Sequence, residues 1–256
     1  MRRRWSQHFL LDRNIARKIV SGLELSAGNH TVLEIGPGKG FLTQFLVQEA
    51  RRVVAVEIDR RLSEELRAGF AGQKNIKIVT GDILRFDLSP FRNLKIVGNI
   101  PYAITSPLLM HLLRYRNWEL AVVMMQREVG ERLRASHGSK LYSPLSIKVQ
   151  YHCKVERLHK VSPGVFYPRP EVDSLIIRLR RRHKPPIKVN NEEEFFKLVR
   201  TSFQGRRKMI GNTLTEFLKT DKQTMYQRAG EQALLLTRRA EELSMDEFAC
   251  LARRLL

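Results

Sequence analysis

Five short apolar runs rich in β-branched residues, at 31–35, 53–57, 76–80, 95–98 and 120–125, punctuate the first half of the chain. Between them lie stretches with apolar residues at helical spacing, such as Leu62, Leu66 and Phe70. Strands that alternate with helices are joined by crossovers, which leave neighbouring strands parallel and put helices on both faces of the sheet. Two later runs, 155–161 and 174–179, predict an antiparallel edge. Charge and a double proline break any element across 180–188. From about 191 the apolar spacing is helical to the end, through Phe195, Phe196, Val199 and Phe203, then Ile210, Leu214 and Phe217, then Phe248, Leu251 and Leu255. The first of these stripes reads as the core of a helical unit rather than a stacking platform. The expectation is an α/β domain over 1–180 with a mostly parallel sheet, followed by a small helical domain over 181–256.

Charge gives the first hint of a partner. The 256 residues hold 46 Lys and Arg against 26 Asp and Glu, a net charge of +20. The excess is spread along the chain, with 29 basic and 16 acidic residues before 180 and 17 and 10 from there on. A folded protein this basic favours a polyanion, because neutralising phosphates releases counterions. No apolar run approaches the ~18 residues of a membrane span. The arginines at 2–4 lack the apolar segment that would follow in a secretory signal. Two cysteines, Cys153 and Cys250, are too few for a disulfide framework or a thiolate metal site. The protein is therefore expected to be soluble and cytoplasmic, with no membrane partner and no metal.

The first apolar run ends in a glycine turn, Gly36-Pro37-Gly38-Lys39-Gly40, with a helix expected to begin near Gly40. A turn of this kind lets backbone approach a nucleotide-like ligand at the C-terminal end of a strand. Glu57, at the end of the second run, can accept hydrogen bonds from both ribose hydroxyls. A dinucleotide site would share these features. Here, however, the glycines are spaced G-x-G-x-G and Glu34 stands two positions before the first. That version suits S-adenosylmethionine (SAM), whose charged methionine part takes the place of a pyrophosphate. Asp82, after Gly81 at the end of the third run, can pair with an adenine amine.

After the fourth run stands Asn99-Ile100-Pro101-Tyr102. An exocyclic adenine amine is a poor nucleophile because its lone pair is delocalised into the ring. Two acceptors, the Asn99 side-chain oxygen and a backbone carbonyl near Ile100, can hold both N–H groups and aim the lone pair at a methyl donor. Tyr102 can stack on a base that has left its helix. A sulfonium donor needs no strong base or metal, so positioning supplies most of the acceleration.

These residues, together with Gln7-His8-Phe9-Leu10, Val56-Glu57-Ile58-Asp59 and the run from Val165-Phe166 to Ser174, resemble the rRNA adenine N6,N6-dimethyltransferases from about residue 5 to 255. The resemblance implies a Rossmann-like SAM-dependent methyltransferase with SAM contacts at His8, Leu10, Gly36, Glu57, Asp82 and Asn99. It implies a base clamp of Asn99, Tyr102 and Phe166, with Phe166 opposite the tyrosine. The implied substrate is two adjacent adenosines in a hairpin near the 3′ end of small-subunit (16S) rRNA, in an immature 30S particle met by a monomer, with a role in ribosome biogenesis. The segments beginning at Phe203 and Arg239 resemble the C-terminal domain of the small-subunit branch. Two departures stand out: His8 where the family usually has Asn, and Ala103 where Asn is common.

Other readings compete. A large-subunit rRNA dimethylase of the resistance type shares the chemistry; an assembly factor could keep the fold without turnover; a nicotinamide dehydrogenase would use the glycine turn differently. Glu57 and Asp59 could be a two-metal pair, but the ribose role suits Glu57 better. His111 reads as a satisfied helix histidine. Basic clusters at 2–4, at Arg127, Arg132 and Arg134, at 178–184 and at 206–208 form a candidate phosphate-tracking surface.

Overall fold

The computed structural model describes residues 8–25, 30–205 and 207–256. The arginines at 2–4, Gln7 and Arg206 lie outside them.

The chain opens with a short strand, β1 (Phe9–Leu10), and α1 (Arg13–Gly22), whose first turn is closed by Asp12 accepting from the Asn14 and Ile15 amides. The alternating part follows as β2 (Thr31–Ile35), α2 (Thr43–Glu49), β3 (Arg52–Glu57), α3 (Arg60–Gly69), β4 (Ile76–Thr80), β5 (Leu94–Asn99), α4 (Thr105–Leu113) and β6 (Trp118–Gln126). Next come α5 (Arg127–Arg134), α6 (Pro144–His152), β7 (Cys153–Val161), β8 (Phe166–Tyr167) and β9 (Ser174–Arg181). Helices α7 (Glu192–Ser202), α8 (Ile210–Leu218), α9 (Lys222–Ala229) and α10 (Met245–Leu255) complete it. No helix among the described residues is long and apolar enough to cross a membrane.

Seven strands form one sheet in the order β4-β3-β2-β5-β6-β9-β7. The first five run parallel, and β9 lies antiparallel between β6 and β7. The expected antiparallel edge is therefore present, entered from its outermost strand. The central strands are apolar throughout because helices cover both faces; residues 53–56 and 120–125 are all buried. Three ionisable side chains are buried among them, Glu34, Glu57 and Lys95; of these Lys95, 5% exposed on β5, donates its ammonium to the Leu23 and Glu24 carbonyls at 2.8 and 2.6 Å. Burial holds its pKa below the usual lysine range.

By its internal contacts the chain divides into two units, 1–130 with 153–181, and 131–152 with 182–256. One crossing between the units falls at 181/182. The segment 131–152, expected in the first domain, groups with the helices instead. Its Tyr142, Ile147 and Tyr151 are buried in one core with Phe195, Phe196, Leu214 and Phe248. Phe195 and Val199 are fully enclosed there and Phe203 packs against them, as expected of a core stripe.

Candidate active site

Chain order reverses at β2: β3 and β4 lie on one side of it, and β5 and β6 on the other. Sheets of this kind receive ligands beyond the C-terminal strand ends at that crossover. A cavity of about 480 Å³ lies there, walled by the ends of β2, β3 and β5 and by β1.

The glycine turn forms one wall. Gly38 has φ +59°, and a Cβ there would come within 2.9 Å of the Phe9 ring, so the turn and β1 can approach only with glycine. Gly40 has φ +77°, which no α-helix accommodates, and α2 therefore starts at Thr43 rather than near Gly40. The Thr43 hydroxyl donates to Glu34 Oε2 at 2.7 Å. Glu34 Oε1 is buried in the cavity wall without a hydrogen-bond partner. Burial raises the Glu34 carboxyl to about 8; the Thr43 bond opposes this and the nearby Glu57 charge adds to it.

Glu57 ends β3 at 2% exposed and is held at both oxygens, Oε2 by the Gly38 amide and Oε1 by the Asp59 amide, each at 3.0 Å. Each carboxylate oxygen keeps one further acceptor site. Asp59 is committed elsewhere, capping α3 through the Arg61 and Leu62 amides at 2.9 and 3.2 Å. The metal-pair reading of Glu57 and Asp59 thus has no geometric support. Asp82 accepts from the Leu84 amide through Oδ1 at 2.9 Å and lines the cavity.

Asn99, at the end of β5, donates its side-chain Nδ2 to the His8 carbonyl at 2.7 Å. A carbonyl only accepts, so this bond fixes the amide and leaves Oδ1 as the group available to a ligand. The Pro101 carbonyl accepts from the Ile104 amide at 3.0 Å, while no donor among the described residues reaches the Ile100 carbonyl. Tyr102 begins a short 3-10 turn, with its hydroxyl 3.2 Å from Ser174 Oγ and its ring 5.9 Å from the His8 ring. His8 Nδ1 donates to the Pro168 carbonyl at 2.7 Å. His8, Leu10, Gly36, Glu57, Asp82, Asn99 and Tyr102 all line the one cavity.

Phe166 departs from expectation. β8 pairs with β1, Leu10 opposite Phe166 and Phe9 opposite Tyr167. Alternation along the strand turns Phe166 into the core beside Leu10, 5% exposed and outside the cavity lining, and leaves Tyr167 68% exposed. Ala103 is exposed and takes no part in the wall. His111 is the satisfied helix histidine expected, its Nε2–H donating to the Phe86 carbonyl at 2.9 Å.

Three contributors had no role in the sequence reading: Thr43, Ser174 and the Pro168 carbonyl. Ser174 and Pro168 meet partners far along the chain, and Thr43 reaches Glu34 across the glycine turn, so no local spacing marks them. Among the basic clusters, Arg178 is ion-paired to both Glu24 and Glu156, Arg180 to Glu24, and Arg127 to Asp173. Arg207 and Lys208 are exposed.

Set beside known proteins, this fold and site fall among the SAM-dependent methyltransferases. A dimethyladenosine transferase from Plasmodium falciparum superposes with a TM-score of 0.82 at 29% identity, over 95% of this chain and 96% of that one. The 23S rRNA methyltransferase ErmE superposes at 0.76 with 31% identity, over 96% and 99%. More narrowly, the ribosomal RNA adenine dimethylase family model matches residues 1–253, and the chain belongs to that family. It is 43% identical, over 97% of its length and 90% of the relative's, to the Ribosomal RNA small subunit methyltransferase A of Moorella thermoacetica.

Proposed function

We propose that the protein dimethylates the N6 amines of two adjacent adenosines in a hairpin near the 3′ end of small-subunit rRNA. Its setting is the cytoplasm, where a monomer would meet an immature small-subunit particle. The small-subunit assignment rests on the 43% identical Moorella thermoacetica relative, against 31% for ErmE. The observation that carries the chemistry is the locked Asn99 amide, whose Oδ1 is left to accept in the cavity that Ile100 and Tyr102 also line.

The residues present fit SAM. Glu34 offers a buried, unpartnered oxygen for an ammonium group, Glu57 retains acceptor sites for two hydroxyls, and Asp82 stands ready for an adenine amine. When bound, SAM supplies an electrophilic methyl group on a sulfonium. Asn99 Oδ1 and the Ile100 carbonyl accept the two N–H groups of the target amine and direct its lone pair. Tyr102 holds the base that has left its stack. The other face of the base is assigned to Phe166 on the family resemblance alone, since its ring is buried beside Leu10. After the first transfer one N–H remains, so the second transfer has one acceptor unpaired and depends more on stacking.

The test is nucleoside mass spectrometry of unmodified small-subunit particles incubated with enzyme and SAM. Wild type is expected to yield dimethyladenosine, and Asn99→Ala to lose about 10²–10³ in rate, the scale of removing one positioned polar group. Calorimetry should show that SAM binding in this variant weakens only partly. An active Asn99→Ala enzyme would overturn the mechanism.

A further inference from the structure

A second groove, of about 430 Å³, runs along the outer edge of the sheet, apart from the cofactor cavity. Arg52 and Val54 of β3, Lys77 of β4, Arg67 of α3 and the loop residues Phe86 and Phe91 line it. Val54 is paired with Lys77 in the ladder, so Arg52, Val54, Lys77 and Val79 share one face of the sheet. Phe86 and Phe91 are half-buried with ring centroids 6.0 Å apart, and with Val54 and Val79 they give the groove an apolar floor.

The rim is cationic and uncompensated. Arg52, Arg67 and Lys77 are exposed, and no ion pair is formed by any of them among the described residues. Arg67 is oriented by Thr80, whose hydroxyl accepts from Nη2 at 2.7 Å. The neighbouring acids of α3 are already taken, Glu64 by Arg60 and Glu65 by Arg61. No acidic side chain among the described residues lines the groove. A lysine on an edge strand is ordinarily a device against strand addition, but that device needs neither an apolar floor nor a set of three unpaired cations. Apolar and aromatic surface under a cationic rim is the composition that holds unpaired nucleotides, the base on the floor and the phosphates at the rim.

We propose that this groove binds a nucleotide of the ribosomal RNA outside the methylated hairpin, as a second anchor on the methyltransferase unit. The assignment rests on the rRNA methyltransferase reading for the identity of the polyanion. Thr80 ends the groove, and Gly81, the next residue, lines the cofactor cavity, so the two abut along β4. From Lys77 to Thr80 the strand rises about 10 Å. The anchored nucleotide therefore lies on the adenine side of the cofactor site, the side marked by Asp82.

The experiment compares wild type, Arg52→Ala/Lys77→Ala and the conservative Arg52→Lys/Lys77→Arg for binding to unmodified small-subunit particles across a salt series. The alanine pair is expected to weaken binding by about tenfold and to reduce the slope of log affinity against log salt by roughly 1.4, two single-strand phosphate contacts. The rate at saturating particle and the SAM affinity should stay unchanged, and the conservative pair should behave as wild type. In parallel, Lys77→Cys carrying a photo-crosslinker should attach to rRNA. An unchanged affinity and salt slope, or crosslinks to ribosomal proteins alone, would overturn the anchor. Wild type that binds particles yet never methylates them would instead overturn the proposed reaction and leave the groove standing.

Discussion

Ser174 is buried at the start of β9, and one hydroxyl gives it a place in the site, 3.2 Å from the Tyr102 hydroxyl. A neutral hydrogen bond contributes about 0.5–1.5 kcal/mol. Ser174→Ala should therefore raise the KM for rRNA about three- to tenfold while SAM affinity and melting temperature hold, and Ser174→Thr should restore it. Glu34 makes a prediction in pH. Its folded carboxyl lies at about 8 against an ordinary 4.5, so folding takes up a proton. The stabilisation is complete below 4.5 and is lost as pH rises to about 8. Glu34→Gln, neutral at every pH, should flatten this part of the profile and melt higher than wild type at pH 9 in the absence of cofactor. Asn99 and Tyr102 were legible in the sequence because they follow Gly98 and Pro101 just past a strand end, and Glu57 because it is the acidic residue that closes the apolar run after the glycine turn. Ser174 was not, because 72 residues separate it from Tyr102 and only the sheet brings them together.

At the scale of elements, the parallel strands were legible because burial on both faces makes them continuously apolar, as at 120–125. β1 and β8 were not, since two residues each carry no periodicity. Yet that small pair sets Leu10 of the cavity wall opposite Phe166 of the core. Phe166→Leu tests which role its ring has. Leucine keeps apolar volume in a core position at a cost below about 1.5 kcal/mol but has no aromatic face. The expected result is a folded enzyme that accumulates monomethyladenosine in mass spectra, because the second transfer leans on stacking. An unchanged ratio of mono- to dimethyl product would return Phe166 to packing alone.

At the scale of the molecule, the segment 131–152 was misassigned because its position in the chain, between β6 and β7, says nothing about which core its apolar residues enter. Its contribution is large: Tyr142, Ile147 and Tyr151 are at most 3% exposed in the helical core. A fragment of residues 182–256 alone should lack a cooperative thermal transition by circular dichroism, and one that joins 131–152 to it through a flexible linker should regain it. The order of strands carries a consequence of its own. Among the described residues β7 pairs with β9 alone, and β9 also covers the flank of β6. A ribosome releases a chain from its N-terminus, so β7 emerges with nothing to pair with until 174–181 follows it. The last strand of the large sheet in chain order thus lies between two earlier ones. Because that strand begins with Ser174, the hydroxyl contact with Tyr102 depends on the strand being in place between its two neighbours.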